Sequence, residues 1–188
     1  WWTEGKGEAR ILRPLEDGFK LYRWGSSFYN LIQKNLPLFH YLYFYFLEYA
    51  SLHRGPRRIL GSKNLLCEVK DFSPDLVLSV HAHLNHGYFD LIRTCLPSKK
   101  GKYIIFCGEL SDGHGYSRHW VNPAADLFAG PFEETCHAAR IRGMPEEKTM
   151  VTGPLLRKPF YENAGQSDRE NFLSKYGLSN SLKTYVLG

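Results

Sequence analysis

Three histidines packed closely behind an apolar run are the residues of this chain best equipped for chemistry. The segment reads Pro74-Asp-Leu-Val-Leu-Ser-Val-His81-Ala-His83-Leu-Asn85-His86-Gly87. A neutral imidazole can ligate zinc, and it can accept a proton near neutral pH. Three readings are open on these residues alone. The spacing His-x-His-x-x-His suits a zinc hydrolase, with Asn85 standing where such a ligand set carries aspartate. The same loop suits a sugar- or lipid-binding site in which His81 and His86 position a hydroxyl. It also suits a polar strand-to-helix turn with no catalytic duty.

The elements around the histidines favour a site at a sheet edge. Leu76 to Val80 is short, apolar and rich in β-branched residues, so it reads as a buried strand of a parallel sheet. Open α/β sheets bind ligands in the crevice beyond the carboxyl ends of their strands. Further strands are expected at 102–107, 126–129, 148–152 and 183–187. Helices are expected at 59–70, 87–96, 133–142 and 168–176, the last two closed by Gly143 and Gly177. Strands alternating with helices predict a doubly wound, mostly parallel α/β sheet. Between the strands at 102–107 and 126–129 lies a loop without regular pattern, holding Glu109, His114 and Trp120.

The amino-terminal third differs. Residues 1–25 are charged and Gly-rich and read as an irregular lead-in. Ser26-Ser27 can cap a helix carrying Phe28, Leu31, Ile32 and Leu36. Pro37 can open another, since proline is tolerated in a first turn. Residues 38–52 are nearly continuous in aromatics, including Phe39, Tyr43 and Phe46, and only Glu48 interrupts with a charge. Arg54, Arg57 and Arg58 follow. The run is too short and too rich in tyrosine to span a bilayer. It suits a core helix, or a helix lying at a membrane interface with its basic flank on anionic lipid.

Composition narrows the classes further. With 43% hydrophobic and 23% charged residues over 188 positions, the chain has the makings of one sizeable globular α/β domain. Its net charge of +5 suits an anionic surface or a phosphorylated ligand. No basic block or RNA-binding signature points to nucleic acid. The four cysteines form no Cys-x-x-Cys pair, which argues against a zinc ribbon or a dithiol redox motif and for buried thiols in a reducing compartment. The chain opens on Trp1-Trp2 without methionine and stops at Gly188 as a strand begins. It therefore reads as a piece of a longer protein.

Residues 126–160 are the most specific. They run Asp126-Leu-Phe-Ala-Gly-Pro131, a helical segment to Gly143-Met-Pro, then Thr-Met-Val-Thr-Gly153-Pro-Leu-Leu-Arg157-Lys-Pro-Phe160. This resembles the end of the acceptor domain in glycosyltransferases of two-Rossmann-domain (GT-B) architecture, and is most similar to the monogalactosyldiacylglycerol synthase branch. Pro74 to His86 looks like that family's Pro-Asp-hydrophobic-Ser-Val-His segment, with His81 and His86 on the pattern and His83 off it. Gly108-Glu109-Leu110 occupies the place of a Thr-Asp-Leu, while His114 and Trp120 match a His and a Trp beyond it. Gly108 and Glu109 depart from the pattern.

The resemblance implies a Rossmann-like acceptor domain over 26–160, followed at 161–188 by the linker helix and first strand of a nucleotide-sugar domain. It implies His81, Glu109 and His114 as catalytic candidates, and Asn85, His86, Trp120 and Arg157 as substrate-binding ones. Phe39, Tyr43, Phe46, Arg54, Arg57 and Arg58 are the expected membrane contacts. The reaction would move a sugar from a uridine-diphosphate donor to a lipid hydroxyl such as that of diacylglycerol, with no metal and no cofactor. The family's Gly-rich loop with its histidine would precede residue 1, and the donor-binding half would follow residue 188. The expected place is the cytoplasmic side, peripheral on a membrane. A nucleotide-sugar epimerase of the same architecture and a non-enzymatic lipid-binding module are the alternatives. The metallo-β-lactamase-like reading recedes, because downstream ligands on separate strands are missing.

Overall fold

The computed structural model describes residues 7–50, 54–56, 59–96, 101–110, 112–113, 116–155 and 165–179. The chain divides into two compact units, residues 1–154 and residues 155–188. The expected strand at 183–187 lies outside the described residues, as do His114, Arg157, Arg57 and Arg58.

The first unit is built on a four-stranded, all-parallel sheet flanked by helices, in keeping with the Rossmann-like, doubly wound α/β class. The strands are β1 (Leu76–Ser79), β2 (Lys102–Phe106), β3 (Leu127–Gly130) and β4 (Thr149–Val151). They lie side by side in chain order, with Leu76 opposite Lys102, Ile104 opposite Leu127 and Phe128 opposite Thr149. The chain passes from β1 to β2 through α5 (Gly87–Arg93) and from β3 to β4 through α6 (Glu133–Ile141). Among the described residues between β2 and β3 the helical structure is a 3₁₀ turn at Arg118–Trp120, and side chains share with the backbone the task of pairing this span's polar groups.

The core sits on the middle strands. Tyr103, Ile105 and Phe128 are fully buried, and Phe89 of α5 meets Tyr103 edge to face with ring centroids 4.9 Å apart. Gly143 takes the left-handed conformation expected of it, φ +98°, and the Met144 N–H closes the end of α6 on the Ala139 carbonyl.

Asp126 ties the start of β3 to its neighbours. Its Oδ2 accepts from Arg93 Nη2 at 2.6 Å and from the Tyr103 N–H at 2.8 Å, and its Oδ1 from Lys102 Nζ at 3.3 Å. Burial alone would raise its pKa, but the Tyr103 N–H, the Lys102 hydrogen bond and the Arg93 charge outweigh burial and hold it down. Asp126→Ala should therefore cost about 2 kcal/mol in urea unfolding at neutral pH, since it strands a partly buried arginine and a strand N–H. A carboxyl with a depressed folded pKa stabilises above its unfolded value and loses that stability as pH falls through the folded one. The cost should therefore shrink below about pH 4.

Three expectations are corrected. The lead-in is not irregular: α1 (Pro14–Asp17) and the first turns of α2 (Lys20–Asn35) fall within residues 1–25. Ser26-Ser27 lie inside α2 and cap nothing, because the apolar spacing already runs from Leu21 through Trp24, and the Tyr22 hydroxyl accepts from the Leu60 N–H at 2.9 Å. β1 is not a buried strand. It has one sheet neighbour among the described residues, which leaves Leu76 and Leu78 partly exposed and only Ser79 buried. Pro37 does open a helix, α3 (Pro37–Ala50). The helix before β1, α4, runs Ser62–Phe72, slightly later than its pattern suggested.

In the second unit, α7 (Gln166–Lys175) begins with the Asp168 carboxylate accepting from the Gly165 N–H at 3.0 Å. Gly177 follows its end with φ +63°, as its sequence position suggested.

Candidate active site

The carboxyl end of β1 turns at once. His81 leads into a 3₁₀ turn, Ala82–Leu84, and its Nδ1 accepts from the His83 N–H at 3.3 Å. That bond curls the backbone back and brings the two rings to 5.6 Å. The His83 ring lies 5.0 Å from the ring of His119, and His119 lies 5.9 Å from His86, edge to face. Four imidazoles thus form a chain along the carboxyl edge of the sheet. No group of three or more His, Cys, Asp or Glu side chains among the described residues is arranged to hold a metal ion.

Asn85 is the hinge of this arrangement and not a free ligand group. It is fully buried. Ser79 Oγ donates to its Oδ1 at 2.6 Å, its Nδ2 donates to the Trp120 carbonyl at 3.3 Å, and Asn122 Nδ2 donates to its carbonyl at 2.6 Å. Its side chain fastens the end of β1 to the loop of residues 117–122. Trp120 is also buried, at 6% exposure. Its Nε1 donates to Glu109 Oε1 at 3.3 Å. Glu109 leaves the end of β2 and is fixed a second time where its carbonyl accepts from Thr135 Oγ1 at 3.0 Å.

Glu109 turns toward α2 as well as toward Trp120. After burial, its charge is the next cause of the raised pKa of Tyr29. No carboxylate contributes to His81, whose pKa is lowered by partial desolvation of its ring. His81 remains accessible to solvent and neutral at pH 7; its Nδ1 is engaged by the His83 N–H, so its lone pair becomes free for a substrate proton only when that long, 3.3 Å bond is given up.

His86 is strongly shifted. Burial, then the charges of Arg54, His119 and Arg118, push its pKa down to about 4. The pKa of His119 is lowered too, mainly by burial, with the Glu48 carboxylate opposing. The Nε2 atoms of both rings are buried without a hydrogen-bond partner.

Sequence reasoning passed over His119 and treated Glu48 only as an interruption of the aromatic run. Glu48 projects from α3 onto the 117–120 turn. Its Oε1 accepts from Ser117 Oγ, its Oε2 from the Arg118 N–H at 3.3 Å, and its backbone carbonyl from Arg118 Nη2. Arg118 Nε lies 3.7 Å from Glu48 Oε2. A lone carboxylate in an aromatic helix was the one signal available. Such a charge persists among apolar neighbours only with a partner.

The hairpin of α2 and α3 carries the expected membrane residues. Tyr43 packs inward, its ring 5.8 Å from both Phe28 and Tyr29. Phe39, Leu42, Phe46 and Tyr49 stay largely exposed, Phe46 at 57% and Tyr49 at 82%. Their spacing puts them in one row along α3. Leu21, Trp24, Phe28 and Leu31 repeat the same spacing on α2 and are exposed too. Arg54 is exposed just beyond α3. Among the described residues no helix is long and apolar enough to cross a membrane. A separate cleft of about 140 Å³ lies between α4 and the open side of β1, lined by Leu12, Phe72, Leu76, Leu78 and Tyr103, and none of the candidate catalytic side chains enters it.

Comparison with protein-family models gives no match, and comparison with curated proteins gives no relative.

Proposed function

We propose that this chain is the acceptor-binding part of a glycosyltransferase that works at a membrane surface, moving a sugar from a uridine-diphosphate donor to a lipid hydroxyl. The observation that carries the reading is a juxtaposition. Imidazoles and a carboxylate gather at the carboxyl edge of a parallel sheet, beside a helical hairpin that shows water two rows of large apolar residues. Soluble domains seldom leave such rows uncovered. An enzyme that takes a lipid from a bilayer needs them next to its site.

In this reading the acceptor oxygen attacks the anomeric carbon, the bond to the diphosphate breaks, and the diphosphate leaves with the electron pair. The proton of the hydroxyl passes to a base. His81 is the accessible neutral imidazole at the sheet edge, and Glu109 is the carboxylate of the adjoining strand. The donor would sit in a domain that the resemblance puts after residue 188. His114 and Arg157 keep their proposed roles from the sequence.

The test is transfer itself. Full-length protein given uridine-diphosphate hexoses and vesicles containing diacylglycerol should form a glycosylated lipid. His81→Ala and Glu109→Ala should each lower kcat by about 10²-fold or more, on the usual scale for a general base, with the thermal transition in place for His81→Ala and only modestly lowered for Glu109→Ala, which leaves the Trp120 indole N–H without its partner. Vesicle binding without any transfer would favour a lipid-binding module instead.

A further inference from the structure

We propose that α3 is a lid latched by Glu48 over a hydroxyl-binding pair, His86 and His119, and that it opens when the apolar row of α3 enters a lipid surface. The inference rests on the lipid-surface reading above and adds how the site is closed in water.

The two histidines are an unusual pair to bury. His119 is 2% exposed, and its Nε2 meets no partner. The Nε2 of His86 is in the same state. Buried polar atoms are nearly always paired, so two orphans on adjacent rings mark a place where something polar binds. Burial keeps the His119 ring neutral against the opposing pull of Glu48. A buried neutral imidazole beside a second one suits a hydroxyl, which both donates and accepts. It suits a cation poorly, with Arg54 and Arg118 close by.

Against the turn that carries His119 lies the carboxyl-terminal end of α3, through Glu48. Glu48 holds it down through polar contacts to Ser117 and Arg118. The rest of α3 packs on α2 through Tyr43, while Phe39, Leu42, Phe46 and Tyr49 face water. An element fastened here by a charged side chain, with its apolar row unburied, has somewhere better to go when a bilayer is present.

Carbethoxylation by diethyl pyrocarbonate, mapped by mass spectrometry on full-length protein, reads the lid without any turnover. Neutral, accessible imidazole reacts, and exposed His137 serves as the internal control. In buffer His119 should react at least tenfold more slowly than His137. Vesicles of phosphatidylglycerol and phosphatidylcholine should bring the two rates within about threefold. Glu48→Gln should do the same without vesicles, since it keeps the shape of the side chain and removes its charge. Phe46→Ser with Tyr49→Ser should keep the protection in buffer and lose its release by vesicles. Protection of His119 that persists in vesicle-bound protein and in Glu48→Gln overturns the lid. If the protein does not bind vesicles, protection in Glu48→Gln alone overturns it. A loss of glycosyl transfer with the vesicle-dependent release intact would sink the transferase reading and leave the lid standing.

Discussion

Lowering the pH from 7 to 5 should cost the folded protein about 2 kcal/mol through His86 alone. The pKa of His86 falls from 6.5 to about 4 on folding. Between those values the unfolded chain holds a proton that the folded one refuses. Stability therefore drops as pH falls through this window, and rises with pH across it. The full displacement spans about 2.5 pH units at about 1.4 kcal/mol each, or about 3 kcal/mol by pH 4. The groups facing the ring all bear on this. Arg54 and Arg118 repel an imidazolium there, and so does a protonated His119. The Glu48 carboxylate favours a charged His119, and burial outweighs it. His81 and His119 also have lowered values, so they add to the same trend. Urea unfolding at pH 7, 6 and 5 measures the effect. In His86→Gln the proton uptake on unfolding should fall by about one near pH 5, and the loss of stability should be correspondingly shallower. An unchanged pH slope would mean that His86 is not desolvated.

The window is separable from the acid limb set by Asp126. That carboxyl has a depressed pKa, so its contribution survives until pH falls below about 4. Stability should thus decline in two steps, the upper from imidazoles at the sheet edge and the lower from the anchor at the foot of β3. Asp126→Ala should remove the lower step and leave the upper.

The strands and helices of the α/β body were legible because their signals are local. Apolar runs gave β1 to β4 within one or two residues, and Gly143 and Gly177 marked two helix ends. The errors have a shared cause. Whether β1 is buried depends on what lies beside it, which its own residues cannot say. Ser26-Ser27 have the chemistry of a cap, but the apolar row from Leu21 to Leu31 overrode it and carried the helix through them. For the site, position was legible and partnership was not. His81, His86 and Glu109 do lie at the carboxyl ends of their strands. Asn85 looked like a ligand because it is polar and sits among histidines, yet a buried amide can equally serve to join two loops. His119 and Glu48 are 71 residues apart in the chain, and nothing local couples them. Long-range pairs of this kind are written in packing and not in spacing.

The other large effect should appear at membranes. The protein should sediment with vesicles containing anionic lipid and bind them over a hundredfold more strongly at low salt than neutral vesicles. Two terms combine. The rows Phe39, Leu42, Phe46, Tyr49 and Leu21, Trp24, Phe28, Leu31 supply apolar area already facing water, so no core need open to present it. Arg54, with Arg57 and Arg58 just after it, supplies charge. Each basic residue near an anionic leaflet contributes about 1 kcal/mol, so three contribute about 3 kcal/mol, which is the hundredfold. That part is screened within a Debye length of about 10 Å at 0.1 M salt, so high salt should release much of the bound protein. Changing Arg54, Arg57 and Arg58 to Ser should abolish the preference for anionic lipid and leave the residual apolar binding. Phe46→Ser with Tyr49→Ser should do the reverse, weakening binding to both vesicle types while the salt dependence persists. Equal binding to neutral and anionic vesicles would remove the arginines from the interface. No binding to either would mean that the two rows cover some other surface, and the case for a lipid acceptor would go with them.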